Sequence, residues 1–237
     1  MAIMVDSTIS SEELERNAEI RRLARLLGVV PDELDYLTPL APPELRALRG
    51  QVTASLFDAR GVLARMAAAS RILPAGLVVT LAERVFGPML AARIAGLLEV
   101  DRAVDIAARL PVPFLADVAT ELDPRRVADI LGAIPPATIA AVAAELIARE
   151  EWIAMGTFYA YLPPASVRAA IGVADAPALL QIALVLEDKE RLSVVLEIAG
   201  TDTLSRIAVA AEAAGLSAQL RALEVYLTPE QRAQLPA

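Results

Sequence analysis

One corner recurs along this chain: Leu110-Pro111, Ile134-Pro135-Pro136 and Leu162-Pro163-Pro164. Proline fixes φ near −65° and lacks an N–H, so it stops one helix and fits the first turn of the next. Around these corners the segments align as VDIAARLPVPFLADVATEL, VADILGAIPPATIAAVAAEL and MGTFYAYLPPASVRAAIGV. The helical pairs start at Asp101, Pro124, Glu150, Ala176 and Thr201, with spacings of 23, 26, 26 and 25 residues. In the fourth unit the corner falls near Glu187-Asp188-Lys189-Glu190, and in the fifth at Gly215. A period of this length is the signature of stacked supersecondary repeats. A hairpin of two short helices cannot bury its own apolar face, so neighbours must cover it.

Ala, Leu, Arg and Glu dominate between the Gly and Pro residues, and all four favour helix. No segment alternates apolar and polar with β-branched residues, so no strand is expected. The reading is all-α: a right- or left-handed superhelix of stacked helical hairpins with an N-terminal helical cap layer. Residues 1–100 form helices packing on or capping the repeat, and residues 101–237 form about five hairpins, in one compact unit. In the first part a capping box at Ser10-Ser11-Glu12-Glu13 opens a helix that ends near Leu27, with Gly28 as its left-handed cap. Pro31-Asp32-Glu33-Leu34 starts a short helical turn. A long segment runs from Pro43 to about Arg71 with possible interruptions at Gly50 and Gly61. Gly87-Pro88 separates the helix Pro74–Phe86 from Met89–Leu98. Thr228-Pro229-Glu230-Gln231 starts a short terminal helix.

Composition removes whole classes of function. With no Cys and no His there is no thiolate or imidazole for nucleophilic catalysis, zinc binding or a disulfide. No GxGxxG or GxxxxGK[ST] loop is present, so no cofactor is expected. The single lysine, Lys189, sits in the most charged run of the chain and reads as solvated, unlike a catalytic amine. The net charge of −8, and basic runs no longer than Arg21-Arg22 and Arg125-Arg126, argue against nucleic acid as a partner. The paired carboxylates Asp117, Glu121 and Asp123, with Glu145, Glu150 and Glu151, are the only acid–base equipment, and they read as a solvated face. A non-enzyme is expected.

The chain is 56% hydrophobic but only 4% aromatic, above the roughly 45–50% apolar content usual for a soluble domain. The longest charge-free stretches are Trp152–Val167 and Ile130–Ala144, of 16 and 15 residues, each broken by a Pro-Pro pair. A spanning helix needs about 20 apolar residues, so no transmembrane span is expected. The segment MAIMVDSTISSEELE lacks the pattern of a secretion signal, and the expected location is cytoplasmic.

The run Val104–Val173, with Leu/Ile-Pro corners between Ala-rich helices, resembles the cytosolic N-terminal superhelix of MgtE-type magnesium transporters, and similarly the middle domain of the flagellar motor switch protein. The likeness covers roughly Asp101–Gly200. It implies a superhelical binding or scaffolding module. No acidic cluster matches that family's regulatory magnesium sites, so no metal ligand is carried over.

Several segments are apolar nearly all round: Ile139–Leu146, Ala178–Leu186, Ile207–Ala214 and Phe86–Leu98. Either other helices cover every side, or the surplus lines a hollow or a groove. The aromatics gather in one place, with Trp152, Phe158, Tyr159 and Tyr161 within ten residues, and Trp152, Met155 and Tyr159 on one helical stripe. These four aromatics, Met155 and Phe114 are the candidate wall of a pocket, or else core. Arg126 and Arg168, with Arg125, lie near corners and suit an acidic head group, or else surface ion pairs. The leading expectation is a binding protein that holds a fatty acid or lipid within its helices. The alternative is a protein-interaction module that takes a partner helix or closes a homodimer.

Overall fold

A computed structural model describes residues 11–56, 60–186 and 188–233. Among them every regular element is helical: α1 (Ser11–Leu27), α2 (Pro42–Leu56), α3 (Arg60–Ser70), α4 (Ala75–Leu81), α5 (Gly87–Ala95), α6 (Val100–Ala107), α7 (Val112–Glu121), α8 (Ala128–Ala133), α9 (Pro136–Ala148), α10 (Trp152–Phe158), α11 (Pro164–Gly172), α12 (Ala176–Leu184), α13 (Leu192–Ala199), α14 (Thr201–Ala213), α15 (Ser217–Leu223) and α16 (Pro229–Arg232). The chain is all-α. Short 3-10 turns fill the joints at Pro31–Leu37, Pro124–Arg126, Tyr159–Tyr161, Lys189–Arg191 and Glu224–Tyr226.

The proline corners act at the local level as expected. Pro111, Pro135 and Pro163 are the N-caps of α7, α9 and α11, with ψ of 141°, 138° and 153°. Their extended backbone turns the chain, and a second proline follows at N1 or N2. Glycine serves at the opposite ends. Gly28, at φ +71°, closes α1 while the Val29 N–H donates to the Ala24 carbonyl at 3.0 Å, the six-to-one bond of a Schellman cap. Thr228 and Gln231 form a capping box at α16. The box expected at Ser10-Ser11 falls outside the described residues, and so does Glu187 of the fourth corner.

Packing runs between alternate helices. In one row α3 meets α5, α5 meets α7, α7 meets α9, α9 meets α11 and α11 meets α13. In the other α4 meets α6, α6 meets α8, α10 meets α12 and α12 meets α14. Helices α3–α5, which precede residue 101, join these rows. α1 and α2 pack on each other, with Ile20, Leu23, Ala24, Leu34 and Leu45 buried between them and the adjoining turn.

α1 lies against the middle of the rows. Leu14 belongs to the same buried cluster as Leu180, Leu184 and Leu216. The Arg22 guanidinium donates to the Val185 carbonyl at 2.9 Å, Arg25 pairs with Glu151 at 2.7 Å, and Lys189 pairs with Glu15. Lys189 is thus buried rather than solvated as its charged neighbours suggested. The carboxylate of Glu15, brought from 174 residues away, compensates its desolvation.

The run Ala75–Ala95, 21 residues, is long and apolar enough by length and composition to cross a membrane. The count of charge-free residues conceals it, because Glu83, Arg84 and Arg93 interrupt it. Gly87 turns the chain within this run at φ +68° and ψ 173°. α4 then packs on α6 while α5 packs on α3 and α7. The run is therefore two rods, as the Gly87-Pro88 pair predicts.

Candidate functional site

The apolar segments of the sequence meet two different fates. In α12 and the residues after it, Ala178, Leu179, Leu180, Ala183, Leu184, Val185 and Leu186 are all buried. Other helices cover most of this segment and its surplus is mainly core, although Leu179, Ile182, Ala183 and Leu186 also border the space described next. In α9, by contrast, Ile139 and Val142 stay half-buried and look into an unfilled space.

That space is a cavity of about 190 Å³ between α7, α8, α9, α10, α11, α12, α13 and α14. Leu115, Leu146, Val167, Ile182 and Leu196 contribute to its wall, and the polar side chains there are Thr138, Tyr159 and Thr203. The Thr203 hydroxyl donates to the Ala199 carbonyl and the Tyr159 hydroxyl to the Asp188 carbonyl, so neither needs a ligand. A second cavity of about 230 Å³ follows toward the N-terminal end, between α3, α4, α5, α6, α7 and α8. It shares Leu115, Val118, Leu122, Leu131 and Ile134 with the first. Its one polar side chain, Ser70, donates to the Ala67 carbonyl at 2.6 Å. The two spaces thus adjoin along the helix rows. Both are open to solvent on one side, and each is larger than the roughly 150 Å³ of apolar space that admits a molecule such as benzene.

The aromatic cluster divides between surroundings. Met155, Phe158 and Tyr159 line the first cavity. Trp152, one turn earlier, faces a polar cleft with Arg21, Arg25 and Arg149, and packs its other side on the C-terminal core. The stripe divides at its N-terminal end, where Trp152 leaves the cavity wall that Met155 and Tyr159 share, and α10 itself ends at Phe158 in the 3-10 turn Tyr159–Tyr161. Tyr161 and Phe114 are on the wall of neither apolar cavity, and nor are Arg126 and Arg168. Arg168 is exposed, and Arg126 lies 3.7 Å from Asp123, three residues away.

Other arginines converge instead. A cleft of about 90 Å³ is lined by Arg21, Arg22, Arg25 and Arg49, with Glu121 and Asp123 opposite. It shares Ala119, Leu122 and Phe158 with the first apolar cavity, so those side chains form a partition between an oily space and a charged one. Beneath the cleft the fully buried Glu19 carboxylate accepts from Arg22 at 2.7 Å and Arg49 at 3.0 Å, and Arg46 stands 3.5 Å away. The sequence signal for this cluster is three arginines within five residues at the end of α1, of which Arg21-Arg22 registers only as a short basic pair.

The carboxylates also separate. Arg149 bridges Asp117 at 2.6 Å and Glu145 at 2.6 Å, and the hydrogen bonds it donates to Glu145 and Asp117 push its guanidinium further above the ordinary value. These acids are structural partners. Glu121 differs: burial raises its pKa, Arg25 and Arg93 oppose that rise, and Glu151 adds to it. Comparison with protein-family models, with curated proteins and with solved structures finds no match to this chain, so its function is argued from geometry.

Proposed function

We propose that this protein is a non-enzymatic carrier or sensor that holds an apolar ligand, a fatty acid or lipid, inside a superhelix of stacked hairpins. The observation that carries the reading is the pair of adjoining apolar cavities with a shared wall. Native interiors are close-packed, with few voids larger than a water molecule. Half-buried Ile139 and Val142 facing such a space lose dispersion contacts that a hydrocarbon would restore. Aliphatic walls with little aromatic area suit a flexible chain.

The test is to extract the purified protein with organic solvent and identify what it releases by mass spectrometry. Stoichiometric recovery of an acyl compound is expected, with rebinding of about one chain per protein. Val142→Phe, which places a ring in the cavity, is expected to reduce rebinding at least tenfold. Empty extracts, together with delipidated protein that takes up no acyl chain, would sink the reading.

A second reading is favoured by an exposed apolar surface at the N-terminal end of the rows. Ile72 is 87% exposed and Val85 68%, with Leu77 and Met89 also exposed nearby. This is the surface of an interaction module, the role that the MgtE-like corners imply. Sedimentation that finds only monomer, with no partner retained at physiological salt, would exclude it.

A further inference from the structure

We propose that the cleft lined by Arg21, Arg22, Arg25 and Arg49 receives the carboxylate of a fatty-acid-like ligand whose hydrocarbon chain lies in the adjoining apolar cavity. This rests on the ligand-binding reading above and adds the chemistry of the head group. The first argument is position. Ala119, Leu122 and Phe158 have one side toward the hydrocarbon space and one toward the arginines. A chain in the first cavity therefore lies one layer of side chains, Ala119, Leu122 and Phe158, from the arginines. Ser70, Thr138, Tyr159 and Thr203, the hydroxyls on the walls of the two apolar cavities, provide no cationic partner there.

The second argument is the state of the guanidiniums. The Arg22 side chain is 8% exposed and that of Arg49 14%, so they act in a partly dry setting where charge-assisted bonds are strong. Glu19 holds both from below at 2.7 and 3.0 Å, and the Val185 carbonyl accepts from Arg22 at 2.9 Å. These bonds pre-orient the planes at the floor of the cleft. Arg25 gives one of its N–H groups to Glu151 at 2.7 Å, while a guanidinium carries five.

The third argument is charge. Four arginines face Glu121 and Asp123 across the cleft, and Glu19 and Glu151 neutralise more of the positive charge. The four carboxylates balance the four arginines, so a bound monoanion displaces one acid, such as Glu151 from Arg25, whereas a phosphate near −2 must displace two and is repelled more strongly by the wall carboxylates. A cleft of about 90 Å³ admits a carboxylate but not a bulky phospholipid head.

The experiment measures binding of dodecanoic acid, 1-dodecanol and dodecyl phosphate to the delipidated full chain by titration calorimetry. The acid is expected to bind about tenfold or more tighter than the alcohol, the difference made by hydrogen bonds to a charged group, and tighter than the phosphate. Arg25→Gln is expected to narrow the acid-to-alcohol gap to less than about threefold, with folding checked by circular dichroism. Glu121→Gln, which removes a facing carboxyl, is expected to tighten acid binding several-fold, and it decides the matter should Arg25→Gln fail to fold. Equal affinity for acid and alcohol would overturn the head-group assignment while leaving the cavity reading intact. Tighter binding of the phosphate would overturn the choice of carboxylate. Failure of all three to bind would overturn both.

Discussion

Gly156 sits in α10 where a side chain has no room. A Cβ built there lies 3.1 Å from the Val185 carbonyl oxygen and 3.4 Å from its side chain. The same carbonyl accepts from Arg22 of α1, so the oxygen is held from a second side and cannot retreat freely. Gly156→Ala is therefore expected to destabilise the fold by about 1–3 kcal/mol, the range for overpacking a well-packed site. This outweighs the roughly 1 kcal/mol that alanine gains over glycine within a helix. Urea unfolding that finds the variant as stable as the parent would show that α10 and α12 are further apart than described. Nothing in the local sequence marks this glycine, because the atom that requires it belongs to a residue 29 positions later.

At the scale of the helical element, the link from α9 to α10 contains the one positive-φ residue other than glycine among those described: Glu150, at φ +58°. The bond from the Glu151 N–H to the Leu146 carbonyl, 2.9 Å, completes a Schellman-type turn around it. A residue with a Cβ in this conformation costs roughly 1–2 kcal/mol relative to glycine. Glu150→Gly is expected to raise stability by about 1 kcal/mol, seen as a higher midpoint in denaturant with no change of slope. A loss of stability would mean that the Glu150 side chain makes a contact that matters. The turn brings the next residue, Glu151, to Arg25 of α1, and so links a local strain to the docking of a distant helix. The proline corners and glycine caps of these links are legible in the sequence because each acts within a few residues of itself. The end of α10 at Phe158 is not, since Tyr159–Tyr161 carry no breaker.

For the whole molecule, the decisive contact is between the N-terminal pair of helices and the rows of alternating helices. Within that pair the electrostatic centre is Glu19, whose side chain has no exposure and is ringed by Arg22 of α1 and Arg46 and Arg49 of α2, and Arg22 ties this cluster to the rows through the Val185 carbonyl. Glu19→Gln removes the common counter-charge and leaves three guanidiniums together. A loss of about 3–5 kcal/mol is expected, as for other broken buried pairs. Calorimetric unfolding would report it, and a change below about 1 kcal/mol would show that solvent reaches the cluster. Helix content, the proline corners and the glycine caps are decided by the sequence alone, because propensity, proline geometry and left-handed caps operate over one or two turns. Only the tertiary structure decides that Leu180 and Leu184 of α12 are core while Ile182 of α12, with Ile139 and Val142 of α9, borders a hollow. It also decides that Arg21, Arg22, Arg25 and Arg49, rather than Arg126 and Arg168, stand beside that hollow. The physical reason is that burial and electrostatic pairing depend on which elements meet in space, and these meetings join residues 126 to 174 positions apart.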